Sequence, residues 1–383
     1  MSCRSLLRIL GCFLALSISH QVWAQTNVNL NNSIRHDYIS PRALGMGDAF
    51  TAVADDHNTL FYNPAGLAFL QEGNLNLKLQ AGATPEVMNF TRDLQSATGK
   101  PTETEKVNAT TDLITQNFGK DYWARPSVGG IWVRPLWGVA FIPLDTSIDL
   151  AIHQQTGPTL NVEVYQDSTL AYGTARTFMD KKLAVGVTAK AIYRGYVGKA
   201  VQATELVVNS EYFSKKDAKE GMTIDADVGA LYRSPFFTDK VKPTFSAVLR
   251  NVADYGFKRN FHLIDANSEE PPKLDRRLDL GSNWEFGNWW IFAPRVTLDV
   301  RDIGHRFWTF RKGLHVGVEL DWLISWWLKG GYRMGLSQGY LTAGASAQFS
   351  WFRLDLATFS EELGTSNAKK ENRRWILSAS LDF

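Results

Sequence analysis

The feature that most constrains this chain is a series of about fourteen segments in which apolar and polar residues alternate strictly. In the last of them, Trp375, Leu377, Ala379, Leu381 and Phe383 alternate with mostly polar neighbours. A period of two is typical of a β-strand with one apolar and one polar face. The segments begin near residues 74, 127, 137, 167, 182, 222, 242, 278, 290, 313, 326, 339, 351 and 374. Most are roughly 8–12 residues long, which is the length that a tilted strand needs to cross a bilayer.

The connections between these segments differ in length in a regular way. Most connections that follow odd-numbered segments are long: 83–126, 143–166, 197–221, 252–277, 302–312 and 360–373. Those that follow even-numbered segments are short, as at 135–136, 178–181, 287–289 and 323–325. The gap 336–338 is an exception and fits a hairpin. Bacterial barrels have an even number of strands, short periplasmic turns and long outer loops. Residues 73–383 are therefore predicted to form a transmembrane antiparallel β-barrel of about 14 strands, an all-β fold.

Two further patterns agree with a barrel. Tryptophans gather at or beside the short turns, at 137, 289, 290, 322, 326, 327 and 351. Aromatic rings of this kind prefer the level of the lipid headgroups. The polar face carries charges of both signs: Lys190, Asp225, Asp227, Glu285, Arg295, Asp299, Arg301, Glu319, Lys329, Arg333 and Asp355. Because such charges are costly in hydrocarbon, we expect them to face an enclosed lumen.

The N-terminus predicts export. Arg4 and Arg8 precede an apolar run from Ile9 to Ile18, and Val22-Trp23-Ala24 fits a cleavage site. Residues 1–24 are therefore interpreted as a signal peptide that is removed before Gln25. Both cysteines of the chain lie within it, so the mature protein is expected to have no disulfide. A formal net charge of +2 gives no indication of a nucleic-acid partner.

A compact segment of small residues follows, SPRALGMGDAFTAVADDHNTLFYNPAGLAFL at 40–70. We predict a short helix from Ala43 to Ala54, whose small side chains allow close backbone approach. Asn63 is a good N-cap and Pro64 suits the first helical position, so a second helical turn is predicted from Ala65 to Phe69. Residues 25–72 are predicted to form a small helical plug inside the barrel.

The same segment closely resembles the N-terminal hatch of the outer-membrane proteins related to the long-chain fatty acid transporter, the FadL type. The resemblance is carried by the stretches ALGMG at 43–47, AFTAVADD at 49–56 and NPAGLA at 63–68. The spacing is also similar to relatives that serve type IX secretion and to conjugation-associated barrels. Asp48 departs from the pattern, because relatives commonly carry a second glycine there.

The resemblance implies passive entry of hydrophobic compounds such as long-chain fatty acids, with outer-membrane lipid and the apolar ligand as partners and no cofactor. It assigns hatch and gating roles to Gly45, Gly47, Asp55, Asp56, Asn63, Pro64, Ala65 and Gly66. These residues could equally well serve only to cap a helix and hold the plug. Phe383, with apolar residues at alternate positions before it, resembles the signal read by the outer-membrane assembly machinery.

Pro143 interrupts the third strand. The apolar face follows odd positions before it and even positions after it, as Leu144, Ile148 and Leu150 show. Proline removes a ladder donor and so indicates a bulge or kink, unless the strand simply ends there. In the transporters that the chain resembles, a kink in the third strand opens a sideways path into the membrane. We expect the same at Pro143.

Enzymatic chemistry and metal binding are not expected. The stretch GLSQG at 335–339 matches a nucleophile-elbow pattern, but it lies between two predicted strands, where a glycine-assisted hairpin is the better interpretation. Asp55-Asp56-His57 lacks the spacing of a calcium loop, and the histidines show no zinc-ligand spacing. The leading hypothesis is thus an outer-membrane diffusion channel that is not an enzyme.

The alternative is a scaffold or accessory barrel of a secretion or conjugation system that moves nothing itself and binds a secretion-system protein through its loops. The lumen discriminates between the two. A continuous apolar path past Asn63 and Pro64 favours transport, and a lumen sealed by charge pairs favours a scaffold. Residues 113–123 suggest an amphipathic outer helix, which could bind apolar ligands or pack over the mouth.

Overall fold

The computed structural model describes residues 31–154, 157–208, 215–235, 241–365 and 367–383; the predicted signal peptide lies outside them. Over these residues, fourteen antiparallel strands close into a barrel, with each strand paired to its chain neighbours and β1 paired to β14. The strands are β1 Asn74–Ala83, β2 Asp121–Arg134, β3 Trp137–Gln154, β4 Pro158–Phe178, β5 Leu183–Gln202, β6 Ala218–Arg233, β7 Val241–Arg250, β8 Arg277–Phe286, β9 Phe292–Ile303, β10 Leu314–Ser325, β11 Leu328–Ser337, β12 Tyr340–Phe349, β13 Phe352–Glu362 and β14 Glu371–Asp382. The predicted fold class and strand number are confirmed.

The helices are short and lie outside the strand ladder. They are α1 Pro41–Gly45, α2 Thr59–Tyr62, α3 Val87–Thr98, α4 Glu103–Gln116, α5 Glu205–Val208 and α6 Phe310–Gly313, with 3₁₀ turns at Pro64–Ala68 and Lys215–Asp217. Among the described residues, no helix combines the length and apolarity that crossing a bilayer demands.

The alternation of the sequence separates the two faces of the wall. In β1, Leu77 and Leu79 are exposed on the outside, whereas Lys78 and Gln80 are buried inside. The outer face is apolar around the barrel, with large exposed side chains such as Leu170, Met334 and Leu341 on other strands. Lipid is the solvent in which such a surface is stable, and the charges that were predicted to face the lumen lie on the opposite face.

The two ends of the barrel differ as expected for a transmembrane barrel. Short turns at 135–136, 179–182, 326–327 and 350–351 lie at one end, and the tryptophans cluster there, with Trp289, Trp290 and Trp326 strongly exposed. Longer connections lie at the other end, at 84–120, 251–276 and 304–313 and in the described residues between β5 and β6. By the rule for such barrels the short-turn end is periplasmic.

The predicted loop 143–166 is wrong. β3 continues to Gln154 and β4 begins at Pro158, so the connection is only 155–157. The prediction failed because the apolar alternation changes phase at Pro143, and such a change is also typical of the end of a strand. As a result β3, β4 and β5 rise well beyond the roughly ten residues that cross the membrane.

The raised part of the wall is apolar on its outer face, and helices cover it there. Ile152, Leu160, Val162 and Val201 face outward and are buried under α3, α4 and α5, a group that we call the helical collar. Phe90 of α3 stacks on Tyr122 with ring centroids 4.4 Å apart. An outer helix is therefore present and packs against the outside of the wall, but the predicted span 113–123 is wrong beyond Gln116, because Tyr122 and Trp123 belong to β2.

The segment before β1 lies against the inward face of the strands. We call its described residues, 31–72, the plug. The predicted helix from Ala43 to Ala54 is wrong beyond Gly45, because the backbone turns left-handed at Gly47 (φ 70°) and Asp48 (φ 61°). The cap at Asn63 is confirmed, since the Ala65 N–H donates to Asn63 Oδ1 at 3.1 Å and a 3₁₀ turn follows.

Candidate functional site

The small residues of the plug allow its backbone to touch the wall. A Cβ added to Gly45 would lie 2.9 Å from the Cα of Gly344 in β12. A Cβ on Gly47 would overlap the carbonyl oxygens of Val316 in β10 and Leu336 in β11. The Gly47 N–H also donates to Thr342 Oγ1 at 2.9 Å. These two glycines are therefore contact points between plug and barrel.

The Asn63-Pro64-Ala65-Gly66 turn packs on the opposite side of the lumen. Asn63 Nδ2 donates to Thr51 O at 2.8 Å within the plug and to Ala230 O of β6 at 3.3 Å. Pro64 lies against Gly186 of β5, where a Cβ would be 2.6 Å from the Ala65 nitrogen. All four residues of the turn are buried. The turn thus holds the plug to β5 and β6.

Arg42 forms the centre of an ion-pair network near the periplasmic end. Its Nε and Nη2 donate to the two oxygens of Glu319 at 2.8 Å each. Its Nη1 donates to Asp55 at 2.7 Å and to Asp56 at 2.8 Å. Arg295 of β9 also pairs with Asp55, at 2.6 Å. Burial alone would raise the pKa of Asp56, but the Arg42 guanidinium holds that pKa well below its usual range.

Asp48 joins the plug to the wall at a second place. Its carboxylate accepts the Tyr62 hydroxyl at 2.7 Å and forms an ion pair with Arg301 of β9. The left-handed backbone of Asp48 suits glycine, the residue expected from the resemblance. Here the buried ion pair offsets the strain of the aspartate.

Further pairs join the outer part of the plug to the wall. Arg35 lies 2.9 Å from Asp167, which also accepts Arg194 at 2.7 Å. Lys190 lies 3.5 Å from Asp37 of the plug. Burial would raise the pKa of Asp37, but Lys190 and neighbouring arginines hold it well below its usual range.

His36 of the plug extends this set toward the long-loop end. Its Nε2 lies 2.9 Å from Asp302, and Arg277 of β8 binds the same carboxylate at 3.0 Å. The described lumen is thus closed by charge pairs between plug and wall.

One sector of the interface is apolar. Leu60 and Leu67 of the plug pack on Ile131, Ala140 and Ile142 of β2 and β3. This sector adjoins Pro143 directly along β3.

Pro143 is the centre of a β-bulge on both sides of β3. Against β2, Phe141 pairs with Gly130 and Leu144 with Val128, so that two residues oppose Gly129 alone. Against β4, Ile142 pairs with Thr169 and Asp145 with Asp167, so that two residues oppose Ser168. Pairing resumes on both sides and the barrel remains closed.

Open space is unevenly distributed around the plug. A cavity of about 570 Å³ lies at the periplasmic end, lined in part by Asp55, Phe69, Arg233, Lys329 and Phe383. On the outer side there are two smaller cavities, of about 40 and 80 Å³, and Arg35 and Asp149 line both of them. The plug and its ion pairs separate the two sides.

The nucleophile-elbow pattern forms a hairpin, as predicted, with the turn at 338–339 between β11 and β12. Ser337 Oγ lies 3.2 Å from His315 Nδ1, but the same nitrogen lies 2.7 Å from Gly47 O. That nitrogen therefore carries the proton and cannot accept one from Ser337. Within the described ranges, no group of His, Cys, Asp and Glu has the geometry to hold a metal ion.

Sequence reasoning missed Arg42, Arg35 and His36 of the plug. A signal was available, because charges in a segment meant for a lumen must find partners among the inward-facing charges. Which charge pairs with which depends on how the plug is rotated in the barrel, and periodicity gives no information on that.

Comparison with known proteins gives structural likenesses at low identity. The toluene transporter TodX of Pseudomonas putida matches 91% of this chain and 99% of its own at 9% identity, with a TM-score of 0.46. The CymD monoaromatic hydrocarbon channel matches 90% and 97% at 11% identity, with a TM-score of 0.45. CdiB from Acinetobacter baumannii matches 82% and 60% at 8% identity, with a TM-score of 0.33. No family model and no curated protein matches the sequence. The fold assignment rests on the strand pairing itself.

Proposed function

We propose that this chain is an outer-membrane barrel that admits hydrophobic compounds passively when its plug moves. The carrying observation is the apolar sector of the plug interface at Leu60, Leu67 and Ile142, which adjoins the bulge at Pro143. An apolar molecule entering this sector gains about 25 cal/mol per Å² of buried apolar surface, so no energy source is required. The sector leads sideways to lipid through the bulge, which is the exit that we propose.

The proposal includes movement, because charge pairs between plug and wall close the lumen over the residues that the structure describes. The ion pairs of Arg42 and Asp48 hold the plug in place, and an opening must break or rearrange some of them. Gly45, Gly47, Asp55, Asp56 and the Asn63–Gly66 turn are the proposed gating contacts. We further propose export by residues 1–24 and assembly through Phe383, whose backbone N–H donates to Leu75 O at 3.0 Å and closes the β1–β14 seam.

Uptake by whole cells tests the proposal. Cells that lack the gene and cells that carry it on a plasmid are compared for uptake of a labelled long-chain fatty acid and of labelled toluene. We expect faster uptake of one of the two compounds in complemented cells. If the two strains take up each compound equally fast, the barrel transports neither compound. Faster uptake of the fatty acid alone or of toluene alone identifies the class of substrate.

The second candidate is a scaffold that transports nothing, and the charge pairs that seal the lumen favour it. A lumen sealed by charge pairs is the feature that the sequence analysis associates with a scaffold, and this closed conformation has it. Cross-linking in intact cells, followed by purification of the barrel, would then yield a specific protein partner bound to loop 251–276 or to the helical collar. Two results together would support the scaffold: no uptake by the complemented strain, and loss of the cross-linked partner when loop 251–276 is shortened.

A further inference from the structure

The connection 251–276 packs on both faces of the wall: Phe257 and Leu274 lie against the inward-facing Ile192, whereas another part of it lies on the outside. β7 pairs with β6 only from Val228 onward, which leaves the outer part of β6 with a free edge. The connection covers that edge, with Val252 N–H donating to Ala226 O at 2.9 Å and Glu220 N–H donating to Glu269 O at 3.0 Å. The isolated pair Met222–Arg259 continues the contact.

The tip of this connection, Lys258–Ile264, folds onto the lipid side of the wall. Tyr193 alternates with the buried inward residues Ile192 and Arg194, so its ring faces outward. Phe261 stacks on this ring with centroids 5.9 Å apart. Ile264 Cδ1 lies 3.5 Å from the position that a Cβ of the outward-facing Gly195 would occupy.

The tip lies at the outer edge of the apolar belt. At about 3.3 Å per residue and a tilt of roughly 40°, β5 climbs about 25 Å from Leu183 to Tyr193, which is the height of the apolar band of such barrels. Residues at this level meet lipid headgroups and the first part of the acyl chains. The tip is thus next to the outer leaflet.

A buried carboxylate holds the tip in a fixed shape. Glu220 accepts the backbone N–H groups of Leu263 at 3.1 Å and Ile264 at 3.0 Å. The Ser268 hydroxyl donates to the same carboxylate at 3.0 Å, and the Tyr193 hydroxyl donates at 2.5 Å. Because these hydrogen bonds already order the loop, a ligand that binds to its side chains pays little conformational entropy.

The exposed side chains of the tip are of two kinds. Phe261 and Leu263 are exposed by 60% and 72% although they are apolar. Lys258 and Arg259 are exposed beside them, and within the ranges that the structure describes neither forms an ion pair. The stretch 255–264 holds no acidic residue. Of the acids beside it, Asp254 pairs with Lys273 at 2.9 Å, Glu269 pairs with Lys219 at 2.7 Å, and Asp265 accepts the Asn267 N–H at 2.8 Å. An apolar surface with two free cations at the headgroup level is complementary to a phosphorylated lipid.

We propose that Lys258–Ile264 is a binding site for a phosphorylated glycolipid of the outer leaflet. Lys258 and Arg259 bind its phosphate groups, and Phe261 and Leu263 contact its acyl chains. The site is independent of transport through the lumen.

The test is a lipid titration of the folded full-length barrel in detergent, followed by native mass spectrometry. The probes are an acylated glucosamine disaccharide that carries two phosphates and the same lipid without phosphates. Each Lys or Arg near an anionic membrane surface contributes enough to expect about tenfold to thirtyfold tighter binding of the phosphorylated form. The double variant K258Q/R259Q is expected to lose this preference, and L263S to weaken binding of both lipids.

The matched control is R92Q/K100Q, which removes two exposed cations from the collar region and is expected to keep the preference. Folding of each variant is checked by the heat-dependent shift of the barrel on a gel. Equal binding of the two lipids by the unmodified protein, or a retained preference in K258Q/R259Q, would overturn the proposal. Complete displacement of the lipid by millimolar inorganic phosphate would also overturn it, because the site would then be one for free phosphate.

Discussion

The hydroxyl oxygens of Thr51 in the plug and Ser246 in β7 lie 2.9 Å apart in the buried interface. If the barrel transports, the plug must move relative to the wall. This contact joins the plug to β7, which is held in place by its strand pairing. Both side chains are small and point at each other, so the position is suitable for a disulfide between the two elements.

The double variant T51C/S246C is therefore expected to lock the plug. Both native cysteines lie within residues 1–24, the proposed signal peptide, so removal of that segment would leave the new pair without a competitor. Under oxidising conditions uptake of the hydrophobic compound should fall to the level of cells without the gene, and a reductant should restore it. The single variants T51C and S246C are the controls. Unchanged uptake through the oxidised double variant would contradict a moving plug.

Gly47→Ala is expected to unseat the plug. The new methyl group would overlap two wall carbonyls, and the φ of 70° adds about 1–2 kcal/mol of strain for a residue with a side chain. Single-channel conductance in planar bilayers should rise from near zero to a measurable level. Gly119→Ala is the matched control, because Gly119 has a similar φ of 79° but open space around it. Equal conductance in the two variants would mean that the contact with the wall is unimportant.

Arg42→Gln is expected to weaken the plug from within. It removes the cation between Glu319, Asp55 and Asp56, and breaking a buried ion pair costs about 3–5 kcal/mol. The barrel itself should still form, because its strand pairing does not involve Arg42. Conductance at pH 7 is the measurement. Arg353→Gln is the control, since Arg353 pairs at 2.7 Å with Asp355 of its own strand; it should stay closed.

The ion pairs also predict how the closed state depends on pH. The pKa values of Asp56 and Asp37 are lowered in the plug from an ordinary value of 3.8, because Arg42 and Lys190 favour their charged forms despite burial. A group with a lowered pKa stabilises the folded state above its ordinary pKa, and this stabilisation is lost as the pH falls toward the lowered one. The barrel should remain closed from pH 7 to about 4 and open only below. Conductance that rises already between pH 6 and 5 would show that other groups control the plug.

Deletion of Pro143 is expected to close the proposed exit. Two consecutive residues, Pro143 and Leu144, face outward at the bulge, so removing one restores strict alternation and regular pairing with both neighbours. The variant should fold and lose uptake, whereas Pro143→Ala keeps the extra residue and should keep uptake. Uptake at the parental rate in the deletion variant would place the exit elsewhere.

The strands could be predicted because the alternation that indicates each strand lies within that strand's own sequence. The alternation in β1 or β14 is complete within ten or so residues, and it gives both the strand and the face that meets lipid. The interior of the plug could not be predicted in the same way. Its path from Gly45 to Ala54 is set by contacts with Val316, Leu336 and Arg301, which are distant in sequence, and these override local helix propensity.

The height of the wall was missed for a related reason. Above Pro143 the outward residues of β3 are apolar because the collar covers them, although they lie beyond the membrane. The sequence of β3 does not distinguish cover by helices from cover by lipid, since both demand apolar side chains. Only the packing of Phe90 and Ile114 on that face identifies which one applies.

The unequal strand lengths make the rim of the barrel lopsided. β3 to β5 have 18 to 21 residues, whereas β7, β8, β11 and β12 have only 10. Seen from outside the cell, β3 to β5, three of the fourteen strands, form a tall part of the rim, and the strands from β7 onward form a low part. If the barrel transports as proposed, the lengths of the strands favour approach to the plug over the low part of the rim.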